Sequence, residues 1–311
     1  MSPTRTERSD AVPRCTGRRA RWPPTRPSSR RTWAVSMTPL SEIRVVHLFP
    51  PLLEAFLALL SELSDDDWRR PTACAGWSVK DVAAHMLAGD LGNLSRQRDQ
   101  WPSGIVQRNA ADLAVQLNAH NERWVQAARF VSPRALRALL EVTGPQVCAY
   151  FASLDPSAIG EVVSWAGPDA APVWLDLARE YTERWHHQQH IRDAVRRPGL
   201  REPRFFEPVL AAFVHALPVT YRDVDAEAGT VVALTITGPA GGRWALRRER
   251  TAWSLVPGVS GGAAAEVVID EDTAWRLFTN GLDRARAARA VEITGDRRLG
   301  VRLLDAVAII A

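Results

Sequence analysis

Two side chains with metal-binding chemistry lie four residues apart in the sequence, Glu183 and His187. On an α-helix, residues at this spacing share one face, so a carboxylate and an imidazole can point at the same cation. A histidine from another helix would complete a set of two histidines and one glutamate. Such a set typically holds catalytic zinc and leaves one coordination position open for water or substrate. His85 is the candidate for the third ligand.

Neighbouring residues leave alternatives open at this stage. His186 and His190 flank His187, so the sequence does not decide which imidazole points inward. The Glu-x-x-x-His spacing is also common in solvated pairs on helices, and a lone His85 is more typical of a core histidine. Cys74 could be a nucleophile, but no base lies at an informative spacing from it. A small residue in a tight loop is therefore the favoured interpretation of this cysteine.

Helical periodicity predicts the elements that carry these residues. Ser78 and Asp81 form a capping-box pattern at the start of the helix that contains His85. A long helix over about 172–196 contains the other two candidates and ends before a Pro-Gly pair. Further helices are predicted over about 48–63, 108–130, 133–154 and 205–221.

The character of the sequence changes after about residue 200, where strand-forming runs alternate with glycine-rich turns. Strands are predicted near 230–237, 244–246, 251–256, 266–269 and 291–294. We therefore expect a fold of the α plus α+β class, in which a helical bundle over 37–200 precedes a small α+β domain over 201–311.

The first 36 residues differ from the rest of the chain. They combine arginine, proline, serine and threonine with few aliphatic side chains, which predicts a disordered basic tail. The pair Arg30-Arg31 is not followed by the apolar segment that an export signal needs. Met37 stands where the tail ends, so we expect translation to start there and residues 1–36 to be a misassigned start.

Composition and charge exclude several classes of protein. The formal net charge is +4, but nine arginines lie in the tail and the remainder is slightly acidic, which argues against a nucleic-acid partner. No apolar stretch approaches the length of a membrane span, so we expect a soluble protein with no membrane partner. The three cysteines, Cys15, Cys74 and Cys148, form no disulfide framework, which indicates a cytoplasmic protein.

Two segments resemble a known family. The sequence from 71 to 85, preceded by Trp68, and the sequence from 183 to 194 resemble the mycothiol-dependent maleylpyruvate isomerase family of the DinB-like superfamily. The resemblance covers about residues 40–311. Its second part, over about 230–296, is similar to the sterol-carrier-like C-terminal domain of that family.

The resemblance implies a DinB-like helical bundle with a divalent metal, zinc being the expected one. The positions that match the metal triad of the family are His85, Glu183 and His187. His190 stands where related sequences often have aspartate, which puts the identity of the substrate in doubt more than metal binding.

The implied activity is that of a mycothiol-dependent isomerase or S-transferase on small electrophilic acids such as maleylpyruvate. Mycothiol, a thiol of actinobacteria, would lose its proton at the metal and add as a thiolate to an activated double bond. Arg192, Arg243 and Arg276 could bind substrate carboxylates, although each is more typical of a surface or structural arginine. The alternative is a non-catalytic protein that binds a metal or a small ligand and keeps a vestigial triad. We expect a monomer or a weak dimer.

Overall fold

A computed structural model of the chain describes residues 42–102, 110–258 and 261–308. The basic tail predicted over 1–36 and the expected start at Met37 lie outside these residues. Residues 39–311 form one compact unit. Within it an N-terminal helical region precedes a C-terminal region built on a sheet, which confirms the predicted fold class.

Several helices of the N-terminal region begin at the capping residues that their sequences contain. Ser64 and Ser78 each form a capping box, and Ser132 caps a helix that has Pro133 in its first turn. A π-helical segment, Asn93–Arg98, follows the helix that contains His85. The helices of this region are α1 (Phe49–Ser61), α2 (Asp65–Arg69), α3 (Val79–Gly92), α4 (Ala110–Ala128), α5 (Pro133–Ala152) and α6 (Val173–Ala194).

A short antiparallel hairpin, β1 (Ile159–Val162) and β2 (Ala170–Pro172), joins α5 to α6. The sequence analysis does not predict it. Its strands are only four and three residues long, too short to show the alternation of apolar and polar residues by which strands are recognised.

Apolar side chains hold the bundle together around the helix that contains His85. Val82 and Met86 of α3 are buried in one cluster with Phe56 of α1, Leu140 of α5 and Ile191 of α6. Ile191 is fully buried, as expected for the residue one and two turns beyond His187 and Glu183 on the same face. That face of α6 therefore points into the protein.

Among its described residues, the C-terminal region contains a five-stranded mixed sheet in the order β5-β4-β3-β6-β7, in which only the pair β3 and β6 is parallel. Alternate residues of β3, Val232, Leu234 and Ile236, are buried, as a sheet covered on one face requires. The strands are β3 (Val231–Thr237), β4 (Gly242–Arg248), β5 (Trp253–Pro257), β6 (Ala265–Asp270) and β7 (Glu292–Gly295). The helices are α7 (Pro203–Phe213), α8 (Leu217–Thr220), α9 (Glu271–Phe278), α10 (Arg284–Ala290) and α11 (Arg297–Arg302).

The two regions share an apolar core. Trp185 of α6 stacks on Phe206 of α7 with ring centroids 4.6 Å apart, and it meets Trp275 of α9 edge-on at 5.4 Å. One buried cluster contains these rings and apolar residues of both regions. Within the described ranges, no helix is long and apolar enough to cross a membrane.

Candidate metal centre

The three residues singled out in the sequence meet between α3 and α6. One ligand atom from each of His85, Glu183 and His187 lies within 4.8 Å of the other two. His187 Nε2 is 3.4 Å from Glu183 Oε2, and these side chains are 12% and 29% exposed. The ring centroids of His85 and His187 are 4.7 Å apart. The cluster is therefore partly enclosed and reachable from solvent.

A buried polar network fixes α3 against α6 one turn away from the cluster. Arg184 donates hydrogen bonds to Asp90 Oδ1 at 2.8 Å and to Glu180 Oε2 at 3.3 Å. Thr143 of α5 donates to Asp90 Oδ2 at 2.9 Å, and Asn93 donates to Glu180 Oε2 at 2.9 Å. Burial raises the pKa of Asp90, while Arg184 and Thr143 act to lower it. The network sets the distance between the helices that carry the candidate ligands.

Two tryptophans make contacts around His85. The ring of Trp77, in the loop before α3, lies 5.2 Å from the ring of His85, and its Nε1 donates to Glu122 of α4 at 3.0 Å. Trp124 of α4 donates from Nε1 to the carbonyl of Ala84 at 2.9 Å. An aromatic side chain therefore covers one side of His85, and α4 is fastened to α3 beside it.

The charge states of the cluster follow from burial and from the Glu183–His187 contact. Burial lowers the pKa of His85 to about 3, and the positive charge of His187 adds to this effect. Burial opposes the charged form of Glu183, but the hydrogen bond and charge of His187 lower its pKa to about 2. Burial also opposes protonation of His187, yet its contacts with Cys74 and Glu183 raise its pKa to about 9. A cation at this cluster would compete with a proton for His187.

One atom of the cluster lacks a hydrogen-bonding partner. Among the described residues, none bonds to the buried Nδ1 of His85. A buried imidazole nitrogen without a partner is costly, and a coordinated cation is one way to satisfy it. The donor set of two imidazoles and one carboxylate is also one that zinc accepts. The residues present thus fit a divalent metal.

Cys74 is the residue whose surroundings the sequence analysis missed. It lies in the expected tight loop, where its N–H donates to Thr72 Oγ1 at 3.2 Å and Thr72 Oγ1 donates to the Trp77 carbonyl at 2.9 Å. Gly76 has φ +79°, a conformation that favours glycine. The loop puts Cys74 Sγ 3.1 Å from Nδ1 of His190. The two residues are 116 positions apart, so no spacing rule could have paired them.

The structure separates the roles of the three histidines of α6. His187 faces the cluster with His85 and Glu183. His186 is 5% exposed and accepts a hydrogen bond at Nδ1 from Trp275 Nε1 at 3.0 Å. The ring of His190 lies 4.0 Å from that of His186, centroid to centroid. The C-terminal region therefore contacts the helix that carries two of the candidate ligands.

The arginines considered as carboxylate ligands differ in their surroundings. Arg192 donates to Gln188 and to the backbone carbonyls of Ala55 and Pro198. Arg276 binds Asp193 and Asp272 and lies over the ring of its neighbour Trp275. These contacts support the structural interpretation for both. Arg243 is exposed on β4.

Comparisons with known proteins bear on the same segment. Residues 49–192 match the family model described as the mycothiol maleylpyruvate isomerase N-terminal domain. No curated protein matches the sequence. Among solved structures, a histidine-to-alanine mutant of the mycothiol-dependent maleylpyruvate isomerase is 13% identical, with a TM-score of 0.49 and coverage of 82% of this chain and 93% of that one. A second crystal structure of the mycothiol-dependent maleylpyruvate isomerase is 14% identical, with a TM-score of 0.47 and coverage of 76% and 88%.

The family match begins at the first residue of α1 and ends two residues before the end of α6. It therefore includes His85, Glu183 and His187 together with the helices that position them. The helical region of this chain is thus similar to the mycothiol maleylpyruvate isomerase N-terminal domain.

Proposed function

We propose that this chain is a metal-dependent enzyme that uses mycothiol to isomerise small electrophilic acids such as maleylpyruvate, or to transfer the thiol to them. The observation that carries the proposal is the convergence of His85, Glu183 and His187 within a segment that matches the family model. A cytoplasmic location, where such thiols are kept reduced, agrees with this activity.

The distances in the cluster support zinc as the metal. Two ligands bound tetrahedrally to zinc at about 2.0–2.1 Å lie about 3.3 Å from each other. His187 Nε2 and Glu183 Oε2 are 3.4 Å apart, so small side-chain movements suffice to bind a cation between them. With His85 as third ligand, one tetrahedral position is left for a water or a thiol.

When bound, the cation supplies Lewis-acid chemistry that lowers the pKa of a thiol at the open position. The chain's own residues hold and shield this position. Glu183 offsets the positive charge beside two imidazoles, and Trp77 excludes water from one side of His85. The Asp90–Arg184 contact keeps α3 and α6 at the separation that the three ligands need.

The experiment is elemental analysis of the purified full chain, followed by a thiol-dependent assay. We expect the native protein to bind one equivalent of zinc more than His85→Ala and Glu183→Gln, because each variant removes a ligand of this cluster. His47→Ala is the matched control, because His47 is an exposed histidine that precedes α1. The zinc-loaded protein should convert maleylpyruvate only in the presence of mycothiol, and His85→Ala should not.

Two outcomes would contradict the proposal in different ways. Zinc that is bound equally by the native protein and both variants would remove the cluster from consideration as the metal site. Zinc that depends on the cluster, without thiol-dependent turnover of maleylpyruvate or related electrophilic acids, would favour the non-catalytic binding protein.

A further inference from the structure

A second group of potential ligands lies next to the first. It consists of Cys74, in the loop before α3, together with His187 and His190 of α6, and one ligand atom of each lies within 4.8 Å of the other two. Cys74 Sγ is 3.1 Å from His190 Nδ1 and 4.0 Å from His187 Nδ1. The family match gives no role to this sulfur.

The two groups use different atoms of His187. Its Nε2 faces Glu183, whereas its Nδ1 faces Cys74. The two nitrogens of an imidazole point in different directions, so a cation bound at Nδ1 would lie on another side of the ring from one bound at Nε2. The sulfur-containing group is thus a separate place for a ligand and not a fourth position of the first cluster.

The separations suit a tetrahedral cation with mixed sulfur and nitrogen ligands. With a zinc–sulfur distance of about 2.3 Å and a zinc–nitrogen distance of about 2.0–2.1 Å, the sulfur and each nitrogen lie about 3.5 Å apart. The observed sulfur–nitrogen distances of 3.1 and 4.0 Å lie on either side of this value.

The three side chains are held in place before any ligand binds. The hydrogen bonds of Thr72 fix the loop that carries Cys74. The ring of His190 contacts that of His186, which is held by Trp275. Cys74 and His190 are both half-buried, so the site is accessible while its geometry is constrained. A preorganised site loses less entropy when it binds a ligand.

We propose that Cys74, His187 and His190 form a second cation site, which takes a divalent cation of the zinc and cobalt class that accepts thiolate and imidazole ligands. Binding releases the thiol proton of Cys74 and the proton on Nδ1 of His187 to solvent, since the ligands are the thiolate and the unprotonated nitrogens. Thiolate and imidazole ligands favour such a cation over magnesium or calcium, which prefer oxygen.

The test is titration of the metal-free full chain with cobalt(II), recorded as near-ultraviolet absorption. Cobalt bound to a thiolate gives an intense charge-transfer band, whereas cobalt bound only to histidine and carboxylate does not. We expect this band in the native protein, in His85→Ala and in Glu183→Gln. The band should be lost in Cys74→Ser. In His190→Ala, the cobalt affinity measured from the band should be at least tenfold lower.

Cys148→Ser is the matched control and should keep the band, because Cys148 lies in α5 and lines a cavity with Phe49 and Leu52. Circular dichroism of each variant establishes that it is folded. Absence of the band from the native protein would overturn the proposal. A band lost in both His85→Ala and Glu183→Gln would also overturn it, since the sulfur would then belong to a single centre. Neither result depends on thiol-dependent activity, so this proposal and the proposed function can fail independently.

Discussion

Replacing Arg184 with methionine tests the network that positions the candidate metal ligands. The substitution keeps most of the side-chain volume but removes the cation that Asp90 and Glu180 share. The side chains of Arg184 and Asp90 are only 13% and 7% exposed, so the carboxylate would remain buried without a counter-charge. Breaking a buried ion pair by removing one partner typically costs about 3–5 kcal/mol.

For a compact unit of this size, each kcal/mol of lost stability lowers the Tm by about 2 °C, so the Tm of Arg184→Met should fall by roughly 6–10 °C. Urea unfolding followed by tryptophan fluorescence gives the free energy by linear extrapolation. The matched control is Arg69→Met, since Arg69 and Asp66 form an exposed pair with side chains 71% and 86% exposed. Exposed pairs contribute only about 0–1 kcal/mol, so the control should change little.

The cost of Arg184→Met should also depend on pH. Burial raises the pKa of Asp90 and Arg184 acts to lower it, so the variant raises this pKa further. A carboxyl whose pKa is higher in the folded than in the unfolded state destabilises the protein at pH values above the folded pKa. This destabilisation disappears as the pH falls towards the pKa of the unfolded state. The difference between variant and native protein should therefore be larger at neutral than at mildly acidic pH. The reasoning would be refuted if Arg184→Met and Arg69→Met lowered the free energy of unfolding by equal, small amounts that did not depend on pH.

Two further substitutions test contacts around the site. Trp275→Phe leaves Nδ1 of the buried His186 without its donor, which should lower the free energy of unfolding in urea by about 1–3 kcal/mol. The control is Trp253→Phe, which removes a similar bond to the Val224 carbonyl. It should destabilise the protein without changing the nitrogen chemical shifts of His186. Unchanged His186 shifts in Trp275→Phe would contradict the contact. Ser78→Ala removes the cap of α3 and should cost about 1 kcal/mol, measured in the same way. Ser61→Ala is its control, since this exposed hydroxyl donates to the Ala58 carbonyl and caps no helix start, and equal effects of the two would argue against the cap.

Local rules account for what the sequence could predict. The four-residue spacing of Glu183 and His187 places them on one helical face, and the capping box at Ser78 marks the start of the helix that carries His85. Both predictions depend on residues close in sequence. Residue type made His85 a candidate partner of the other two, and a family resemblance strengthened the pairing, because spacing alone could not place α3 beside α6.

The side-chain contacts near the site that sequence reasoning missed join distant segments. Cys74 meets His190 across 116 positions, and Trp275 reaches His186 across 89. Such contacts depend on how helices pack, which periodicity within one helix does not determine. The sequence did contain a partial signal for the contact between Trp275 and His186. The rings of three histidines close together on one helix point in different directions, and each buried ring needs a hydrogen-bonding partner.

The stack of Trp185, Phe206 and Trp275 bears on how the protein unfolds. A helical region and a sheet region with separate cores could open one at a time, as independent cooperative units do. Here the rings at their junction are buried among apolar residues of both regions, so opening either region would expose the core of the other. The free energy that protects the helix of Glu183 and His187 from local opening is therefore partly supplied by α7 and α9, outside the segment that matches the family. A fragment that ends with that segment would lack this protection.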